Sequence, residues 1–147
     1  MSILTLPLEP SGPIITIGFV VSGPRQSALK KAGQPVPDPV IARCLLDTGD
    51  SGTCVDSQVI AKLQIPPSGT VPIHTPSTGA TPKICNQFDV GIGIIMDDGA
   101  VHLPGVVIPV IESDLDSLGI QALLGRDILD QALLIYDGHG RTLTLAF

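Results

Sequence analysis

Apolar runs in this chain are short, and glycine or proline cuts them off at close intervals. Sixteen Gly and fourteen Pro are spread along 147 residues, a pattern that suits many short strands joined by turns. Apolar residues make up 44% of the chain and charged residues 15%, so a packed core is expected rather than disorder. Aromatics are only 3%. The core must therefore come from Ile, Val and Leu, which fit a pleated sheet. The length suits one domain spanning residues 1–147.

Strands are expected at 2–8, 13–21, 39–46, 88–96, 101–103 and 106–110, and a closing hairpin at 133–136 and 142–147 turns across Asp137-Gly138-His139-Gly140. The segment 22–38 holds Gly23-Pro24, Gly33, Pro35 and Pro37 and reads as an exposed connection, mobile at its tip. Asp56 can cap a short helix whose apolar face is Val59, Ile60 and Leu63. Ile128, Leu129, Ala132 and Leu133 mark a second short helix. The stretch 71–84 reads as a projecting hairpin with Ser77, Thr78, Gly79 and Ala80 at its tip, and its prolines keep it at a sheet edge.

The net charge is −6 and no basic stripe is present, which argues against nucleic acid and anionic membranes as partners. Neither a signal peptide nor a transmembrane span can be drawn, and the cytoplasm is the expected location. Cys44, Cys54 and Cys85 are odd in number and lack metal-ligand spacing, so buried free thiols are expected. His74, His102 and His139 are scattered, and the acidic run 112–117 does not match a calcium loop. No metal and no cofactor are expected.

One short stretch carries chemistry. Leu45-Leu46-Asp47-Thr48-Gly49 is an apolar strand that runs straight into an aspartate. A carboxylate at the end of a buried strand is costly unless something solvates it or uses it. The Thr-Gly that follows adds a hydroxyl and a backbone able to turn sharply. Two carboxylates held together share one proton and can activate water against a peptide carbonyl. Asp-Thr-Gly occurs once in the chain, so such a pair needs two chains.

Leu45-Leu46-Asp47-Thr48-Gly49, then Thr53, then Leu123-Leu124-Gly125-Arg126-Asp127-Ile128-Leu129 resemble the retropepsin-like aspartic proteases, the single-domain, homodimeric relatives of pepsin. The run Ser51-Gly52-Thr53-Cys54 looks closest to bacterial members. Lys83-Ile84-Cys85-Asn86-Gln87-Phe88-Asp89 resembles the strand leaving the family's flap, and Thr142 to Phe147 resembles its C-terminal dimerisation strand. The resemblance implies an all-β acid-protease barrel with one or two short helices, closed as a two-fold dimer, acting on a peptide or protein substrate. Asp47, Thr48 and Gly49 would be catalytic. Asp50, Ser51, Ser77, Thr78, Gly79 and Ala80 would meet substrate, and Thr53, Leu124, Gly125 and Arg126 would support the site. Asp50 departs from the family, which usually carries a small residue there, and Arg126 is placed to pair with it. The competing reading is a peptide-binding or dimerisation module with the same fold and no catalysis. A phosphotransferase of the haloacid dehalogenase type would need a parallel α/β sheet, which this strand-rich pattern does not offer.

Overall fold

The computed structural model describes all residues from Met1 to Phe147. In chain order its elements are β1 (Ile3–Pro7), β2 (Ile14–Val21), α1 (Gly23–Lys31), β3 (Val40–Leu46), β4 (Cys54–Asp56), α2 (Ser57–Leu63) and β5 (Gly69–Ile73). Then come β6 (Lys83–Ile95), β7 (Val101–Ser113), β8 (Ala122–Leu124), α3 (Arg126–Leu129), β9 (Leu133–Asp137) and β10 (Thr142–Ala146). A single 3-10 turn, Asp116–Leu118, precedes β8.

Strand alternation sets the core. Ile15, Ile17, Phe19 and Val21 of β2 all point inward and are buried, as are Ala42, Cys44 and Leu46 of β3, because side chains two apart share a face. Six strands close into a barrel in the order β2-β3-β8-β4-β7-β6, with β6 pairing back onto β2. Register shifts between Val90 and Ile92 and between Ile92 and Ile94 bend β6 against β7, the kind of local twist that lets a sheet curl. β5 hangs on the outer edge of β6, where its Pro72 withholds no needed ladder donor. A second sheet, β1-β10-β9, contributes Leu143 and Leu145 to the same core as Val90 and Ile92. Burying each such side chain stabilises the fold by roughly 1.5–3 kcal/mol.

Four expectations change. Residues 23–31 are not part of a mobile connection but form α1, with Pro24 in its first turn and Lys30 and Lys31 in its last. Proline is favourable at a helix start and basic residues at a helix end, yet α1 buries no residue, so no apolar periodicity announced it. The chain therefore has three short helices, not one or two. β7 is one continuous strand through Pro104 and Gly105, reaching Ser113. β4 was not anticipated at all. The C-terminal strand, which the resemblance likens to a dimerisation strand, pairs with the N-terminal strand inside one chain, Ile3 opposite Ala146 through Pro7 opposite Thr142. Cys44, Cys54 and Cys85 are free thiols, the last only half-buried. No helix is long and apolar enough to cross a membrane.

Asp56 ties β4, α2 and the acidic turn together from a fully buried position. Its Oδ1 accepts from the Gln58 N–H at 2.9 Å, capping α2, and its Oδ2 accepts from the N–H groups of Leu115 and Asp116 at 2.8 and 2.9 Å. Burial raises its pKa, but the three donors outweigh burial and hold it below the ordinary carboxylate value. Its contribution to stability is therefore complete above the unfolded value of about 4 and is lost as pH falls through the lower folded value. Asp56→Ala should lower stability at neutral pH by roughly 2–4 kcal/mol, through the lost cap and two stranded N–H groups. Urea unfolding should show the gap between variant and parent narrowing in acid. A gap that stays constant into strong acid would contradict this account.

Candidate active site

Parallel pairing of β3 with β8 sets Leu45 opposite Leu123 and Leu46 opposite Leu124. The chain leaving β3 therefore emerges beside the end of β8, and the Asp47 N–H donates to the Leu124 carbonyl at 2.9 Å. The turn then closes on Asp47 itself. Its Oδ1 accepts from the Gly49 N–H at 2.9 Å, and its carbonyl accepts from the Asp50 N–H at 3.2 Å. The Thr48 hydroxyl takes no part in this turn. Thr48 is held through its carbonyl, which accepts from Arg126 Nη1 at 2.7 Å.

The N-terminal end of α3 locks the loop from below. Arg126 and Asp127 donate their N–H groups to the carbonyls of Asp50 and Ser51, at 2.9 and 3.2 Å. Thr53 is completely buried. Its hydroxyl donates to Asp127 Oδ1 at 2.8 Å and accepts from the Gly125 N–H at 3.2 Å, while its own N–H donates to Asp127 Oδ2 at 3.1 Å. Gly125 lies so close to the loop that a Cβ there would sit 2.6 Å from the carbonyl carbon and oxygen of Gly52.

A cleft of about 380 Å³ opens over this loop. The loop contributes Asp47, Gly49 and Asp50, the barrel contributes Cys54, Ile111, Ser113 and Leu123, and the hairpin between β5 and β6 contributes Ile73, His74, Thr75 and Pro76. Asp50 Oδ1 accepts from the Gly52 N–H and Oδ2 from the Cys54 thiol, each at 3.2 Å. Burial, reinforced by the hydrogen bond and charge of Asp50, pushes the Cys54 thiol up to about 12. It stays protonated at neutral pH and is no nucleophile. The acids of the cleft are Asp47 and Asp50, with His74, Thr75 and Ser113 as its other polar side chains. A larger groove of about 650 Å³, running from Pro35 to Ile41 beside Lys62 and Gln64, holds one carboxylate, Asp38, and no second acid.

Asp47, Gly49 and Asp50 line one cleft, with Thr48 beside them. Thr53, Leu124, Gly125 and Arg126 pack or bond behind the loop. The expected Asp50–Arg126 ion pair does not form, since the guanidinium is taken by Thr48 and only the Arg126 backbone touches Asp50. Ser51 is exposed and does not line the cleft. The tip residues also lie outside its lining. Thr78 folds the tip onto itself, donating its N–H to the Thr75 carbonyl at 3.0 Å and accepting from the Thr75 N–H at 2.9 Å. The arm before the tip, Ile73 to Pro76, faces the cleft instead. Asp127, Ile111 and Leu123 were not singled out from sequence as site residues. Leu123 and Asp127 left a signal, since both lie in the run around Gly125-Arg126; Ile111 arrives through parallel pairing with Cys54.

No family model matches this sequence, and no curated protein matches it. A crystal structure of a retropepsin-like aspartic protease from Rickettsia conorii superposes over 99% of this chain and 90% of its own, with a TM-score of 0.58 and 16% identity. The fold is retropepsin-like, a closed six-strand barrel with three short helices.

The lock behind the loop is open to direct test. Gly125→Ala forces a methyl into the Gly52 backbone and should destabilise the fold by about 3 kcal/mol or more. Thr53→Val keeps the shape but strands the Gly125 N–H and takes the hydroxyl donor from Asp127 Oδ1, a loss of roughly 2–3 kcal/mol. Thr53→Ser should restore most of it. Thermal melts of the three variants check the ranking, and a Thr53→Val protein as stable as the parent would remove Thr53 from this role.

Proposed function

We propose that this chain is an aspartic endopeptidase acting as a two-fold homodimer, with one Asp47 from each copy. The observation that carries the reading is the single Asp47, oriented by the Gly49 N–H and facing a cleft, on a retropepsin-like fold. Two such carboxylates share one proton. The ionised one takes a proton from water as the oxygen attacks the peptide carbonyl, and the protonated one donates to the carbonyl oxygen. Collapse of the tetrahedral intermediate breaks the C–N bond as the leaving nitrogen takes up a proton. The run Ser51-Gly52-Thr53-Cys54 favours a bacterial-type member, a peptide or protein is the proposed substrate, and the cytoplasm is the proposed location. Since β1 and β10 bond to each other, the seam between copies uses whole sheet edges; β9 borders that sheet with Leu133 and Ile135 exposed.

One observation favours a second reading, a peptide-binding module without catalysis: Asp50 adds a charge beside the reacting carboxylate. Quenched-fluorescence peptide libraries read across pH separate the two. Asp47→Asn should lower cleavage by about a thousandfold or more, activity per chain should fall on dilution, and the rate should decline on both sides of an optimum as the shared proton is gained or lost. Cleavage that survives Asp47→Asn, or a protein that sediments as a monomer while cutting peptide, would overturn the dimeric dyad.

The hairpin between β5 and β6 is proposed as a flap that lays an extended peptide against the cleft as an added strand. Ile73 to Pro76 already line the cleft, and Ser77, Thr78, Gly79 and Ala80 close over the ligand. Small residues there permit close backbone approach, and Gly79 sits at a φ of 59° with open space around it. Deleting Ser77 to Ala80 should raise KM several-fold while the dimer stays folded. Kinetics that do not change would leave the hairpin with no role in closure.

A further inference from the structure

We infer that Asp50 makes the cleft selective for peptides carrying lysine or arginine beside the bond that lies over Asp47, an inference that rests on reading the cleft as a peptide site. The negative charge of Asp50 has no use within the chain. Both of its contacts are neutral and long, the Gly52 N–H and the Cys54 thiol, each at 3.2 Å. An asparagine could keep the Gly52 contact through its one oxygen and turn its amide toward the Cys54 sulfur, so neither contact requires a charge. The chain's one ion pair, Arg43 with Glu9, is elsewhere on the barrel surface, and Arg126 turns its guanidinium to the Thr48 carbonyl. No lysine or arginine lines the cleft, where the charged acids are Asp47 and Asp50.

Around those two carboxylates much of the wall is apolar, with His74, Thr75 and Ser113 as the other polar side chains. Ile73, Ile111 and Leu123 line the same space. Such a wall weakens screening and strengthens the pull on a cation. It also suits the long aliphatic stem of lysine or arginine, which packs along apolar surface while its head reaches a charge. A glutamate or aspartate in the same place would meet two like charges with no lysine or arginine beside them, and His74 as the one basic side chain of the lining. The cleft therefore rejects acidic side chains as firmly as it accepts basic ones. In a two-fold assembly one Asp50 flanks each side of the bound peptide, so a basic residue is accepted on either side of the central bond.

Binding, not cleavage, tests this, so that its outcome is separate from that of the peptidase reading. Octapeptides on a fixed Ala-Leu-Thr background carry Lys, Arg, norleucine or Glu at each position in turn, and fluorescence anisotropy reads their affinity for the Asp47→Asn protein. Lys and Arg at central positions should bind about tenfold tighter than norleucine, with Glu weaker still, and the difference should shrink as salt is raised. Asp50→Asn in the same background should bring Lys and norleucine level, while Asp50→Glu keeps the order. Equal affinity for Lys and norleucine, a preference that survives Asp50→Asn, or binding of none of the peptides would overturn the inference. Cleavage by the unaltered protein is scored apart. Lysine-selective binding without cleavage removes the peptidase and keeps the selectivity, and cleavage indifferent to charge does the reverse.

Discussion

The buried hydroxyl of Thr53 donates to the Asp127 carboxylate and accepts from the Gly125 N–H, and the acidic loop depends on that bridge. Through it the start of α3 is drawn against the loop, close enough that Gly125 touches the Gly52 backbone. That closeness in turn lets Arg126 and Asp127 give their N–H groups to the carbonyls of Asp50 and Ser51. Asp47 is therefore positioned from two directions, by β8 through the Leu124 carbonyl and by α3 through the loop that follows it. A side chain with no contact to any ligand sets the geometry in which a ligand would be met.

Two aspartates six residues apart show how environment assigns roles. Asp56 is buried and accepts from three backbone N–H groups, so its charge is used up in holding β4, α2 and the acidic turn. Asp50 accepts from one N–H and one thiol, both at 3.2 Å, and borders an open cleft. Dipoles that point at a carboxylate favour its charged form, whereas an apolar wall without a cation leaves the charge looking outward. The first residue is structural and the second is available to a partner.

Much of this was legible in the sequence because it is local. The apolar run into Asp47-Thr48-Gly49 states its own geometry, a strand that ends in a turn, whereas the place of Gly125 behind it came from the family resemblance and its contact with Gly52 from the fold. Local too are β2 and β3, whose alternation is written in Ile15, Ile17, Phe19 and in Ala42, Cys44, Leu46. What escaped was set by partners far along the chain or by the absence of burial. β4 is three residues that become a strand only between β7 and β8. Helix α1 has no buried face, so its Gly23-Pro24 start read as a loop. The Arg126 guanidinium could have met Asp50 or the Thr48 carbonyl, and only the fold of the loop decides which.

If the peptidase reading holds, assembly and recognition meet at one place. Thr48 and Gly49 are exposed in the single chain, directly beside the carboxylate that a second copy must approach to form the dyad. The interface then begins at the reacting groups, and the two copies each of Asp47 and Asp50 come together in a small, partly apolar volume. Like charges in such a volume repel, and one shared proton relieves only part of it. A basic side chain on the substrate would relieve more. Whatever binds the paired chains and not the separated ones also stabilises the pair, and the coupling is reciprocal. A lysine-bearing peptide would then favour the dimer that cuts it, and the acidic residue that departs from the family pattern would link substrate choice to assembly.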